Sequence, residues 1–273
     1  MTNLVLFCAA MVLITGYTIL RGLRPRKSSL IQVIVLLRQL IQLVRIRRQL
    51  WRPSKLNLDA PDTRLSHIDA SISAVIVKMR RVCDSRQQTL INVLSQRVIE
   101  LQELGLDCNP TTAYLRHGKL IRHLLYLIDE CTFSMLEGKG SDNAFNEYQI
   151  FWQSTLDSMD SLTRFRMAVL KIDKGDVTGI QSLRLQALIL RKRLSKTEVL
   201  PGHTQTAMSP LLYRHLSDIY HNYPEELAMS VEALWGLSDQ TSTVIFSQYD
   251  QQLRQTMKNA DIELPPLLSP SLN

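Results

Sequence analysis

The chain has 273 residues, of which 45% are hydrophobic and 21% charged, so it can bury a core and is too apolar to be disordered. Ten glycines and ten prolines are few for this length, which favours helices and excludes an all-β fold. The formal net charge is +7, but ten of the 32 basic residues precede Asp59, the first acidic residue. From Asp59 onward the chain has 22 basic and 25 acidic residues. Because the excess of basic residues is confined to the part of the chain before Asp59, we expect no nucleic-acid partner.

The first apolar segment runs from Leu4 to Leu20 and carries no charge. At about 1.5 Å per residue it spans roughly 25 Å, close to the ~30 Å hydrocarbon core of a bilayer. A cleaved signal peptide is the alternative, but it would have its basic residues before the apolar run. Here they follow it, as Arg21, Arg24, Arg26 and Lys27.

We therefore predict a transmembrane anchor and basic collar over residues 1–27. Since positive charges stay on the cytoplasmic side, these four residues determine the topology and place the bulk of the chain in the cytoplasm. The predicted location is a bacterial inner membrane, crossed once. Cys83, Cys108 and Cys131 form no CxxC pair, and this agrees with a reducing compartment.

A second apolar segment begins at Ser28 and ends before Pro53. Its uninterrupted apolar portion, Val33 to Leu37, is too short to cross a bilayer. Its polar residues recur at spacings of four and three, as Arg38, Gln42, Arg45, Gln49 and Arg52. This pattern predicts an amphipathic helix, which lies either among lipid headgroups or in the bundle as its first helix.

The remaining apolar residues recur every three or four positions and predict helices only. The predicted elements are one long or two kinked helices between Asp62 and Gly105, then helices from Pro110 to Gly138, Phe145 to Gly175, Ile180 to Pro201, about Leu211 to Asn222, and Pro224 to about Lys258. We expect an elongated all-α bundle over residues 28–258, with a candidate internal boundary near 201–210. Residues 259–273 are rich in proline and predict a flexible tail.

The common short catalytic motifs are absent from the sequence: there is no phosphate loop, GxGxxG, GxSxG or HExxH pattern. His215 and His221 flank Asp218 but are six residues apart, so they point about 120° away from each other on a helix and no metal site is predicted. We expect no cofactor and no enzymatic activity. The alternative is a membrane-associated enzyme whose site is assembled from scattered residues.

Arginines provide the candidate binding site. Guanidinium groups that face each other from two helices make a planar, bidentate site for a small oxyanion. The predicted ligand-binding residues are Arg38, Arg45, Arg164 and Arg166. The alternative is that Arg164 and Arg166 are neutralised by Asp157 and Asp160 on the same helix.

Three segments carry a resemblance to a known family. They are Leu37-Arg-Gln-Leu-Ile-Gln-Leu-Val-Arg-Ile-Arg-Arg, His117-Gly-Lys-Leu-Ile-Arg-His-Leu-Leu-Tyr-Leu-Ile-Asp-Glu, and Phe151-Trp-Gln through Asp160-Ser-Leu-Thr-Arg-Phe-Arg-Met-Ala-Val. Their order resembles that of bacterial nitrate- and nitrite-sensing (NIT) helical domains, over about residues 30–258. The resemblance implies an all-helical bundle in which arginines of facing helices bind the anion, and a signalling or antitermination output.

Together these features predict a membrane-anchored sensory or interaction module that acts in signal transduction. Its expected partners are membrane lipid, a small anion such as nitrate or nitrite, and a protein partner or second copy that packs through helices.

Overall fold

The computed structural model describes residues 28–51, 61–83, 87–104, 108–137, 142–198, 210–221 and 229–266. These residues form eight helices and contain no strand, so the predicted all-α helical bundle is confirmed. The helices are α1 (Ser28–Leu50), α2 (Pro61–Val82), α3 (Gln88–Gln102), α4 (Pro110–Leu136), α5 (Asp142–Asp173), α6 (Thr178–Glu198), α7 (Pro210–His221) and α8 (Val231–Asn259). The expected anchor between Leu4 and Leu20 and the collar that follows it lie outside the described residues.

Local signals fix most helix ends. The long pattern that begins near residue 62 is two helices, α2 and α3, rather than one. Asn109 caps α4 as expected, because its side-chain oxygen accepts a hydrogen bond from the amide of Thr111 at 2.9 Å. The predicted start at Pro224 lies outside the described residues, and α8 as described begins at Val231. Ser230 is the N-cap, with extended backbone and a side chain that accepts from the amide of Ala233 at 3.2 Å.

A tight connection joins α5 to α6. Gly175 has a φ of +78°, a left-handed conformation in which glycine carries no steric penalty, and it ends α5 where the sequence predicts. In the first turn of α6, a Cβ atom on Gly179 would lie 3.0 Å from the backbone nitrogen of Ile172. The two helices therefore pack back on each other with no room for a side chain at this point.

One hydrophobic core includes residues from all eight helices. Helix α5 packs against α4, α6 and α8, while α7 contacts both α6 and α8. The helices before and after residues 201–210 therefore share a core across the candidate internal boundary.

Helix α1 lies inside this bundle. By length and composition it is long and apolar enough to cross a membrane, but half of its apolar window is buried among the other helices. Its buried Arg38 and Arg47 form ion pairs with Asp250 of α8 and Asp69 of α2. The sequence left this segment either among lipid headgroups or in the bundle. In the structure it is a helix of the bundle.

The predicted flexible tail packs in part against the bundle, and the prediction is wrong for residues 260–266. Ile262 and Leu264 are buried, and the carbonyl of Pro265 accepts a hydrogen bond from Arg38 Nη1 at 2.8 Å. Apolar side chains two residues apart in a segment without regular secondary structure reach the core, which proline content alone does not predict.

Candidate functional site

The two predicted site residues on α1 face α8. Arg38 Nε donates to the Asp250 carboxylate at 2.6 Å. Arg45 donates to the hydroxyls of Ser242 at 3.2 Å and Thr243 at 3.0 Å, and its guanidinium lies 4.6 Å from the centre of the Phe246 ring. A cavity of about 260 Å³ opens between the two helices beside these arginines.

The two predicted site residues on α5 are separated by the structure. Arg166 is 3% exposed and donates to the Ser238 hydroxyl at 3.2 Å and the Ser238 carbonyl at 3.0 Å. Its guanidinium is 3.7 Å from the Asp239 carboxylate. Arg164 is exposed. Because residues two apart on a helix point in nearly opposite directions, only Arg166 reaches the interior.

The proposed neutralisation of this pair by neighbouring carboxylates is wrong. Asp157 instead forms an ion pair with Arg193 of α6 at 2.5 Å, and Asp160 pairs with Arg122 of α4. Both carboxylates face other helices, and the carboxylate beside Arg166 is that of Asp239 on α8.

Arg47 and Arg48, which are not among the predicted site residues, are both buried. Arg47 is fully buried and binds Asp69 through Nε at 2.7 Å and through Nη2 at 3.3 Å. Arg48 donates to the Ser242 hydroxyl at 3.3 Å, the same oxygen that Arg45 contacts. The end of α1 therefore delivers two adjacent guanidinium groups to the interior.

His117 of α4 lies at the centre of these charges. Its ring is fully buried, Nδ1 is 2.7 Å from the Ala113 carbonyl, and Nε2 is 3.3 Å from Arg47 Nη1. A carbonyl only accepts and a guanidinium only donates, so Nδ1 carries the proton, Nε2 is the acceptor, and the imidazole is neutral.

Electrostatics agree with this assignment. Burial is the main cause that lowers the pKa of His117 to about 3, and the charges of Arg47, Arg48 and Arg166 lower it further. Three arginines from α1 and α5 thus act on one imidazole of α4. We call Arg47, Arg48 and Arg166, with His117, the arginine cluster.

Helix α8 supplies the neutral oxygens around the arginine cluster. Ser238 and Ser242 are one helical turn apart and have no exposed surface, and each hydroxyl accepts from a guanidinium of the facing helices. Hydroxyls can turn to donate instead. The site therefore offers forked N–H donors and adaptable hydroxyls in a buried setting, a combination suited to a small planar oxyanion.

A signal for the two missed arginines is present in the sequence. The apolar stripe Leu30, Ile34, Leu37, Ile41 and Val44 advances by four and three residues, and the next step of this series is Arg48. Arg47 likewise follows Leu43 by four residues and Val44 by three. An arginine at a position where an apolar stripe should continue is expected to face the core. The predicted site residues on α1, Arg38 and Arg45, belong instead to the polar stripe.

No family model matches the chain, and no curated protein or solved structure matches it either. In the described part of the chain, no group of three or more His, Cys, Asp and Glu residues is arranged to hold a metal ion.

Proposed function

We propose that this protein is a sensor whose helical bundle binds a small oxyanion, nitrate or nitrite, at the arginine cluster. The observation that carries the proposal is the convergence of Arg47, Arg48 and Arg166 on the buried His117. The resemblance to NIT domains supports the same class of ligand.

The physical support is electrostatic. Like charges held together in a buried site repel each other, and each guanidinium loses hydration there. An anion bound among them offsets both costs and accepts several charge-assisted hydrogen bonds at once. Asp69 and Asp239 approach from the edges of the cluster, 21% and 18% exposed, and they hold Arg47 and Arg166 in place.

The proposal includes a location. The uncharged segment from Leu4 to Leu20 anchors the chain in a bacterial inner membrane, and the collar from Arg21 to Lys27 keeps the bundle in the cytoplasm. In this arrangement the bundle senses a cytoplasmic anion and passes the signal through its helices to a protein partner or a second copy. The function is binding rather than catalysis.

Thermal unfolding in the presence of anions tests the proposal. Nitrate or nitrite should raise the Tm of the protein with a dependence on concentration that saturates, because a ligand that binds only the folded state stabilises it. Sodium chloride at equal ionic strength controls for screening of the basic residues.

Two arginine variants locate the effect. Arg166→Lys keeps the charge but loses the planar fork, so the specific stabilisation by nitrate should disappear. Arg164→Lys is the matched control: the same change two residues away, at an exposed position, should leave it intact. The helical signal in the circular dichroism spectrum of each variant, measured without anion, shows whether the bundle still folds. Equal responses of the unmodified protein to nitrate and chloride would reject the proposal.

A further inference from the structure

A second concentration of positive charge lies on the outside of the bundle. A cleft of about 390 Å³ is bounded by α3, α4 and α5 and is lined by Arg97, Lys119, Arg122 and His123. The three long basic side chains are exposed, unlike those of the arginine cluster. The cleft is therefore separate from the site proposed above and accessible from solvent.

The charge of the cleft is unbalanced. One carboxylate lines it, that of Asp160, and this carboxylate is engaged in the ion pair with Arg122. The part of α4 between Pro110 and Ile128 contains no acidic residue. Within the described ranges Arg97 and Lys119 have no ion-pair partner, so two cations remain to meet a ligand.

His123 adds a buried polar atom to the cleft. Its Nε2 is buried and makes no hydrogen bond to any described residue. Burial, and then the charge of Arg97, lower the pKa of His123, so the ring is neutral at pH 7. A buried nitrogen without a partner is costly, and a ligand oxygen would satisfy it while also meeting the neighbouring cations.

Part of the surface that lines the cleft is apolar. Leu115 and Tyr126, both on α4, are 42% and 46% exposed. Tyr126 is held in place by an edge contact with Trp152, whose ring centre is 5.2 Å away. An anion with an organic part therefore finds both charge and apolar surface at this position.

We propose that this cleft binds the phosphate group of a phosphorylated organic ligand. Arg97 and Lys119 contact the phosphate oxygens, Nε2 of His123 donates to one of them, and the organic part lies against Tyr126 and Leu115. A phosphate monoester carries more than one charge at neutral pH and three acceptor oxygens, which matches two free cations and an imidazole better than a monovalent planar anion does.

Calorimetric titration of the full chain in neutral detergent tests the proposal with two probes. Sodium pyrophosphate represents a free phosphate, and short-chain phosphatidic acid, with short-chain phosphatidylcholine as its control, represents a lipid headgroup. Replacing Arg97 and Lys119 together by Gln should weaken binding of the effective probe by about tenfold or more. The matched control replaces two exposed basic residues of α6 and α7, Lys196 and Arg214, by Gln and should change the affinity less than twofold.

The two probes and the two variants together decide the proposal. Saturable binding of either probe that depends on Arg97 and Lys119 supports the proposal, and the probe that binds more tightly identifies the source of the phosphate. Binding of neither probe, or equal loss in the control variant, overturns it. Arg166→Lys should leave this binding unchanged, so failure of the sensor proposal and failure of this one are distinguishable.

Discussion

His117 shows how a folded environment decides the charge of a single side chain. Its ordinary pKa of 6.5 falls to about 3 in the folded protein, chiefly through burial. Between these values the unfolded chain binds a proton that the folded chain does not. The stability contributed by the neutral ring is therefore fully present above about pH 6.5 and is lost progressively as the pH falls toward 3.

We predict that the free energy of unfolding falls with decreasing pH below 6.5, with His117 contributing about 1.4 kcal/mol per pH unit. Urea titrations between pH 7.5 and pH 5 measure this slope. In His117→Gln the slope should be smaller, because an amide does not titrate and its oxygen can still accept from Arg47. His123 titrates in both proteins, so the difference isolates His117. Identical slopes would contradict the assignment of a neutral His117.

The structure places the four predicted site arginines at different positions. Arg38 and Arg45, taken from the polar stripe, lie on α1 and contact α8, while Arg164 is exposed. Arg47 and Arg48 were missed because periodicity reports which face a residue lies on, not whether a charged residue on the apolar face finds a partner. That outcome depends on Asp69 and Ser242, which are 22 and 194 residues away in the chain.

At the scale of elements, the connection between α5 and α6 illustrates how a single missing side chain permits close packing. The absent Cβ of Gly179 would lie 2.9 Å from Ile172 Cγ1 and 3.0 Å from the Ile172 backbone nitrogen. The side chain can shift, but the backbone of α5 cannot move without disturbing the turn at Gly175.

Gly179→Ala should therefore lower the free energy of unfolding by about 1–3 kcal/mol. Gly236→Ala in α8 is the matched comparison, since nothing lies within 4 Å of its added Cβ. There, the helix propensity of alanine should stabilise the protein by about 0.5–1 kcal/mol. Chemical unfolding of both variants checks the pair, and destabilisation of equal size in the two would show that the close approach at Ile172 is unimportant.

Helix ends followed the sequence where capping chemistry is local. The start of α4 at Asn109 and Pro110 and the end of α5 before Gly175 can both be placed from the sequence. The start of α8 is harder to place from the sequence, because Pro224 with two acidic residues and Ser230 both fit a helix N-terminus. Local rules do not rank two plausible starts that lie within two turns of each other.

At the scale of the whole molecule, two apolar segments are candidates for a membrane-spanning helix. The segment from Leu4 to Leu20 is uncharged, whereas α1 carries Arg38 and Arg47, both paired with carboxylates of other helices. Extracting α1 into lipid would break these pairs and leave charges in hydrocarbon. We therefore keep the earlier segment as the predicted anchor.

We predict that the full chain stays in the membrane fraction after high-salt and carbonate washing, while a chain that lacks residues 1–27 is released. Immunoblotting of the fractions measures the outcome. Release of the full chain would contradict the predicted anchor. Retention of the shortened chain after the carbonate wash would assign the membrane contact to α1 instead. Circular dichroism of the released chain confirms that it is still helical.

The sequence by itself determined the all-α class, most helix ends and the collar of positive charge. Each depends on spacing, capping or composition within a few residues, where the physics is local. Only the tertiary structure decided that α1 belongs to the core, that residues 260–266 pack on the bundle, and that Arg47, Arg48 and Arg166 meet at His117. These outcomes depend on contacts between distant residues, because burial is tolerable for a charge only where the fold brings it a partner.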